Sequence, residues 1–257
     1  MMISTWMMSM KNFKTTISML KRIIILFFFI IIIFSGKLYA QSEENSDWNA
    51  SIGTDIVSRY IWRGISSSKT PALQPYLEVS YKGVTIGTWA SYTMGEETLQ
   101  EVDLYISYSL GNFTLTISDY FVYEDTLASS SFYNYDENTT SHILDAQLSF
   151  EGPESFPIKA TLSTLVYGAD KNINGDKNYS TYIELGYPFI INDISIMPFA
   201  GAALNSGLYN SKAGFINCGI TGEAEINITE NFSIPLGVSL ITNPLDENVF
   251  VVVKLSF

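Results

Sequence analysis

Few residues in this 257-residue chain could do chemistry by their type and spacing. Glu101 and Asp103 stand two apart, as do Glu223 and Glu225, while Arg59 and Arg63 stand four apart. Asp55, Glu78, Asp145, Lys159, Glu184 and Lys254 complete the set of charges that recur at alternate positions. On an extended strand such positions share one face, so the carboxylate pairs could exchange protons or fix the charge of a passage. His142 is the one histidine and follows Ser141, with Asp145 close behind. A Ser/His/acid relay needs its nucleophile within bonding reach of the base, and neighbours on a strand point to opposite faces. The expectation is a solvated histidine ending a long loop, and no enzyme. Asp170, Asn172, Asn174, Gly175 and Asp176 open like a calcium loop. The twelfth position is Thr181 rather than a bidentate Glu and no helices flank the segment, so a polar hairpin loop accounts for it equally well. A lone Cys218 beside one histidine allows neither an intramolecular disulfide nor a Cys/His zinc cage. No cofactor or metal is expected.

Composition narrows the class of molecule that must position these groups. Charged residues are 16 % against 47 % hydrophobic and 14 % aromatic, whereas soluble domains carry about 25 % charge. Net charge is −12. Residues 1–40 hold five bases and no acid, leaving 9 bases against 26 acids beyond them, or −17. A phosphate backbone would be repelled by such a surface, so nucleic-acid binding is excluded. Lys11, Lys14, Lys21 and Arg22 precede the apolar run Ile23 to Phe34, and Ser35-Gly36-Lys37-Leu38-Tyr39-Ala40 follows. The order is that of a secretory signal peptide, 1–40, with cleavage expected after Ala40. The run of twelve is short for a membrane helix, which needs about 20 residues. The mature domain is then 41–257.

Beyond residue 47 apolar and polar residues alternate in stretches of roughly ten, the length of a tilted transmembrane strand. Val249, Val251, Val253, Leu255 and Phe257 share one face; Ile216, Cys218, Ile220, Ala224 and Ile226 share another. Twelve stretches are expected: 50–62, 73–81, 84–94, 100–110, 112–123, 142–150, 157–167, 179–187, 193–203, 215–227, 232–241 and 248–257. Short connections, such as Lys82-Gly83, Gly111-Asn112, Gly152 to Glu154, Ile190 to Asn192 and Thr229 to Asn231, alternate with long ones at 64–72, 95–99, 124–141, 168–178, 204–214 and 242–247. That is the pattern of an all-β, closed antiparallel transmembrane barrel of a Gram-negative outer membrane, with both termini at the short-turn, periplasmic end.

Aromatics gather at both strand ends, Tyr81, Phe113, Phe150, Phe156, Tyr187, Phe189, Phe232 and Phe257 at one and Tyr60, Trp62, Tyr92, Tyr123, Tyr167, Tyr179 and Phe215 at the other. A soluble β-sandwich would share the alternation but not these girdles, which suit outer-membrane lipid and lipopolysaccharide. In hydrocarbon an open sheet edge would strand backbone N–H and C=O groups, so the first strand must meet the last. The apolar last strand ending in Phe257 resembles the signal read by barrel-insertion machinery. Asp119 falls on the apolar face, and a bulge near Ser118 is expected to turn it inward and put Tyr120 and Val122 outside.

Ser58-Arg59-Tyr60-Ile61-Trp62-Arg63-Gly64-Ile65-Ser66, followed by Pro71-Ala72-Leu73-Gln74-Pro75, resembles the opening of the TorF-type family of outer-membrane barrels assigned as porins by fold. Gly87-Thr88-Trp89 resembles its Gly-x-Trp motif, with Thr88 where the named motif has Cys. Glu101-Val102-Asp103-Leu104-Tyr105, Gly111-Asn112-Phe113-Thr114-Leu115 and Tyr182-Ile183-Glu184-Leu185-Gly186-Tyr187 continue in the family manner. The resemblance implies an outer-membrane barrel with no established substrate.

If the apolar face meets lipid, the inner face carries Asp55, Arg59, Arg63, Glu78, Trp89, Glu101, Asp103, Tyr105, Asp145, Lys159, Glu184, Glu223, Glu225 and Lys254, with Tyr76 and Tyr182. These could form a charged constriction of a porin-like diffusion channel for small hydrophilic solutes. They could also form a salt-bridge network filling a narrow, non-conducting barrel; an outer-membrane hydrolase is the third reading. Arg59 and Arg63 are expected to face Glu78, Glu101 and Asp103 only across the lumen.

Overall fold

Period two becomes a wall. The computed structural model describes residues 47–95, 99–123, 131–229 and 232–257. The expected signal segment 1–40, the start of the 41–257 domain, parts of the 95–99 and 124–141 loops, and the turn residues Glu230 and Asn231 lie outside them. The wall strands are β1 (Trp48–Val57), β2 (Ala72–Tyr81), β3 (Val84–Thr93), β4 (Gln100–Leu110), β5 (Phe113–Tyr123), β6 (His142–Glu151) and β7 (Lys159–Gly168). Next come β8 in two pieces (Thr181–Gly186 and Phe189–Ile191), β9 (Ile194–Ala203), β10 (Gly214–Thr229), β11 (Phe232–Asn243) and β12 (Asn248–Ser256). Pro188 separates the pieces of β8, because it has no N–H to give the ladder.

Each strand pairs antiparallel with the next, and β1 pairs with β12, so the sheet closes into a twelve-stranded ring. The seam aligns Asp55 with Ser256, Ile56 with Leu255 and Val57 with Lys254. Thr54 and Phe257 exchange two backbone hydrogen bonds of 3.0 Å. At the short-turn end Lys82 and Gly83 have φ of 47° and 84°, and Asn192 and Asp193 48° and 67°. Two successive positive φ values give a turn whose twist matches the strands it joins.

Outward positions are apolar: Ile52, Leu77, Ile86, Leu104, Ile106, Leu115, Leu148, Leu162, Leu185, Ile220, Leu240 and Val251 all lie exposed on the outer wall. Inside, aromatic rings lie flat across glycines of the neighbouring strand. A Cβ on Gly53 would stand 2.6 Å from the Tyr76 hydroxyl, and one on Gly87 2.3 Å from the Tyr105 ring. Glycine here serves close approach between strands.

The expected bulge at Ser118 does not form. β5 keeps unbroken register with β4 and β6 from Phe113 to Phe121, and Asp119 stays on the outer face opposite Leu104 and Leu144. Tyr120 is therefore inward, where its hydroxyl donates to Asp145 at 2.9 Å. Register shifts fall instead between Leu144 and Asp145 against β7, between Gly201 and Ala202 against β10, and between Asn227 and Thr229 against β11. The second of these turns Ile216 inward and fully buries it, correcting its expected place beside Cys218 and Ile220 on the outer face.

Candidate functional site

The chain leaves the wall at Val57, so the first expected stretch, 50–62, is too long and Arg59 and Arg63 are not on a strand. Residues 58–68 fold into the lumen from the long-loop end as a small hairpin, Ile61–Trp62 pairing with Ile65–Ser66. Its neck is clasped by the Tyr60 carbonyl, which accepts from the Ser67 and Ser68 N–H groups at 2.9 and 3.2 Å, and by Ser68 Oγ, which accepts from the Tyr60 N–H. Tyr60 and Trp62 thus point inward rather than joining the expected girdle. Trp62 lies 5.6 Å from the Tyr120 ring and 5.5 Å from Tyr209.

Arg63 turns the hairpin tip with φ of 49°. Its guanidinium donates to Asp145 Oδ2 at 2.8 Å, to Gln147 Oε1 at 3.1 Å and to the Tyr209 hydroxyl. The Trp62 and Tyr182 rings lie 4.9 and 5.0 Å from the same group. Asp145 is fully buried and also accepts from Ser163 Oγ and the Tyr120 hydroxyl. Every oxygen of this carboxylate is paired, the condition under which a buried ion pair is tolerated. Gly64 seats the tip against β10: a Cβ there would stand 1.7 Å from the Ile216 carbonyl oxygen. Asn243 Nδ2 donates to the Gly64 carbonyl at 3.2 Å. Around the hairpin Leu165, Tyr182, Ala203, Tyr209 and Ile216 form a packed core.

The other half of the lumen is open and holds charged side chains. A cavity of about 320 Å³ is roofed by Tyr60 and Ile61 and lined by Arg59, Gln74, Thr221, Glu223, Ser239 and Lys254. A second, of about 540 Å³, shares Glu223, Gly237 and Lys254 with it and continues to Asp193, Glu225 and Ser256 at the short-turn end. Lys254 pairs with Glu223 at 3.2 Å, and Arg59 lies 5.7 Å from the Phe250 ring.

The remaining expected lumen residues do face inward, but most are tied down. Glu78 accepts from Tyr105 at 2.9 Å, Glu184 from Asn217 at 2.7 Å and from Tyr182, and Lys159 pairs with Glu151 at 3.0 Å near the short-turn end. Asp55 aligns with Gln74 and Ser256, and Trp89 lies 5.3 Å from Tyr60. Neither arginine meets Glu78, Glu101 or Asp103 in an ion pair; Arg63 takes Asp145 instead. Sequence reading missed Tyr209, Gln147, Asn243 and Ser163. Tyr209 sits in a connection, where no alternation marks an inner side, and Asn243 ends β11 two residues past the expected stretch 232–241.

His142 is not a solvated loop residue. It begins β6, fully buried, on the outer wall. Its Nδ1 lies 2.8 Å from Asp119 Oδ1, and Nε2 donates to the Phe132 carbonyl at 2.7 Å. Tyr135 donates to Asp119 Oδ2 at 2.6 Å and stacks on the imidazole at 4.1 Å. Residues 131–141 therefore lie against the outside of the wall, roofing the one acid and the one imidazole on outward strand positions among the described residues. Tyr135 is pushed up to about 12, by desolvation first and then by its bond to Asp119. Glu137 is held below the usual carboxylate range by Lys177, which bonds it at 2.7 Å across from the 168–178 loop.

That loop keeps its oxygens for itself. Asp170 accepts from Asn178, Ser180 Oγ and the Ser180 N–H, and Asn172 Oδ1 accepts from the Asn174 and Asp176 N–H groups. Among the described residues no three His, Cys, Asp or Glu side chains gather as a metal site.

Fold and site together define a closed twelve-stranded antiparallel β-barrel with a hairpin in its lumen. The chain belongs to the bacterial family described as of unknown function and labelled Gcw_chp, whose model matches residues 41–235. Comparison with curated proteins gave no match.

Proposed function

We propose that this protein is an outer-membrane channel that passes small hydrophilic solutes, closed at rest by the hairpin 58–68. The wall supports the membrane setting: aliphatic side chains on strand after strand lie exposed on its outer face, and a contiguous exposed apolar surface marks a site of membrane or partner contact. The resemblance to TorF-type porins and the signal-like residues 1–40 point the same way, and on this reading the short turns face the periplasm. The observation that carries the channel reading is the contrast between two halves of the lumen. A chamber lined by charged side chains reaches from the short-turn end to the hairpin, and the hairpin is a separate clasped unit rather than part of the wall. An aqueous chamber with fixed charges selects ions and solutes. The strand ending in Phe257 would present the protein to the insertion machinery.

Planar-bilayer conductance tests this. Wild type should give small or infrequent openings, and Arg63→Ala larger and more persistent ones. Neutralising Arg59, whose side chain lines the chamber, should shift reversal potentials. A second reading, a non-conducting structural barrel, is favoured by the packed core around Tyr182 and Tyr209. Silence from both wild type and Arg63→Ala would establish it.

A further inference from the structure

Two carboxyl groups are buried side by side in the lumen wall with no cation between them. Glu101 and Asp103, on the inner face of β4, are 8 % and 7 % exposed. Among the described residues no Lys, Arg or His pairs with either, whereas the buried Asp145 of the same lumen wall has Arg63. The register sets them in two adjacent rows: Ser91 stands opposite Glu101, and Trp89 and Tyr120 flank Asp103. Gln74 Nε2 lies 3.4 Å from Ser91 Oγ, which extends the first row. Tyr60, at the neck of the hairpin, bonds Glu101 and lies close to both carboxylates. Most tellingly, Asp103 Oδ1 is buried without any hydrogen-bond partner. A buried carboxylate oxygen left unpaired is costly, and buried charges are normally paired or bound to a metal.

We infer that Glu101 and Asp103, with the neutral oxygens of Tyr60, Gln74 and Ser91, bind a divalent cation of the calcium class. The charge cancels, two carboxylates against one doubly charged ion. The donors are all oxygen, which suits a hard cation and disfavours softer metals. Calcium takes about 6–8 oxygens, so water completes the shell. Entry is from the chamber, since Tyr60 and Gln74 line it. With only two charged ligands the site binds weakly, with Kd on the order of 10⁻⁴–10⁻³ M. Because Tyr60 clasps the hairpin, the ion also fastens the hairpin to β3 and β4. Binding does not depend on conduction, so a barrel that never conducts can still hold the ion.

Terbium luminescence on the refolded full barrel tests the site, because Trp89 stands opposite Asp103 and can sensitise a bound lanthanide. Saturable emission is expected, displaced by calcium, and reduced at least tenfold in Glu101→Gln and Asp103→Asn. Where a variant fails to fold, the unsubstituted protein decides: calcium should raise its unfolding temperature relative to chelator. Folded wild type without saturable emission and without a calcium shift would show that the two carboxyls carry protons instead, and the proposal falls. Emission undiminished in both folded variants would place the ion on the acidic outer loops and overturn it equally.

Discussion

At the scale of single residues the lumen's main tie is Arg63 to Asp145, two groups 82 positions apart in the chain. Asp145→Asn should cost about 3–5 kcal/mol, the usual result of leaving one buried charge unmatched. Unfolding of the refolded protein in lipid measures it; a loss under about 1 kcal/mol would mean that water screens the pair and the hairpin is not seated. Asp145 itself could be read from its alternation with Gln147 and Ser149. Its partner could not, because Arg63 lies past the end of β1, where period two no longer says which way a side chain points. Asp119 gives the opposite lesson. Alternation puts it on the outer wall; the bulge expected to turn it inward does not form, and it stays there. What sequence could not supply was the means of tolerating it: an imidazole at Nδ1 distance and a tyrosine hydroxyl from a loop 16 residues away.

Two elements leave the wall, one inward and one outward. The hairpin 58–68 is seated by a close approach at Gly64, whose φ of 80° also suits glycine. Gly64→Ala should unseat the tip, because its methyl would overlap the Ile216 carbonyl. Larger conductance with an intact barrel is the expected result, and unchanged conductance would show that the hairpin does not control the passage. The outer element, 131–141, is held by His142, Asp119 and Tyr135. His142→Ala should free it and leave Asp119 without its partner, at a cost of about 1–3 kcal/mol, with faster proteolysis in that loop as the readout. The same loop should respond to alkali. The Tyr135 phenol titrates higher in the folded protein than a free phenol, at about 12. Its bond to Asp119 therefore stabilises the loop fully below about pH 10 and is lost as pH rises through about 12. Proteolysis that stays slow above that range would show that stacking on His142 suffices. Neither element's destination was legible in the sequence: 58–62 read as the end of the first strand, and 131–141 as part of an ordinary long connection.

For the molecule as a whole, closure rests on a short seam. The three register pairs of β1 with β12, and the Thr54–Phe257 bonds, all involve residues 254–257. Deleting those four residues should abolish the folded form that resists unheated detergent on a gel, and a shortened chain that still ran as the folded species would show that the ring does not need this seam. The strand order, the near-absence of charge from the outer wall and the even count of strands were all determined by the sequence alone. Alternation is a local property: each backbone step flips the side chain, so ten residues suffice to say which face is greasy. What filled the lumen was decided only by the tertiary structure. A loop has no period, and its resting place depends on partners far along the chain, Asp145 and Asn243 for the hairpin. Whether a ring of twelve strands stands open or stoppered is therefore settled by contacts that exist only once the ring has closed.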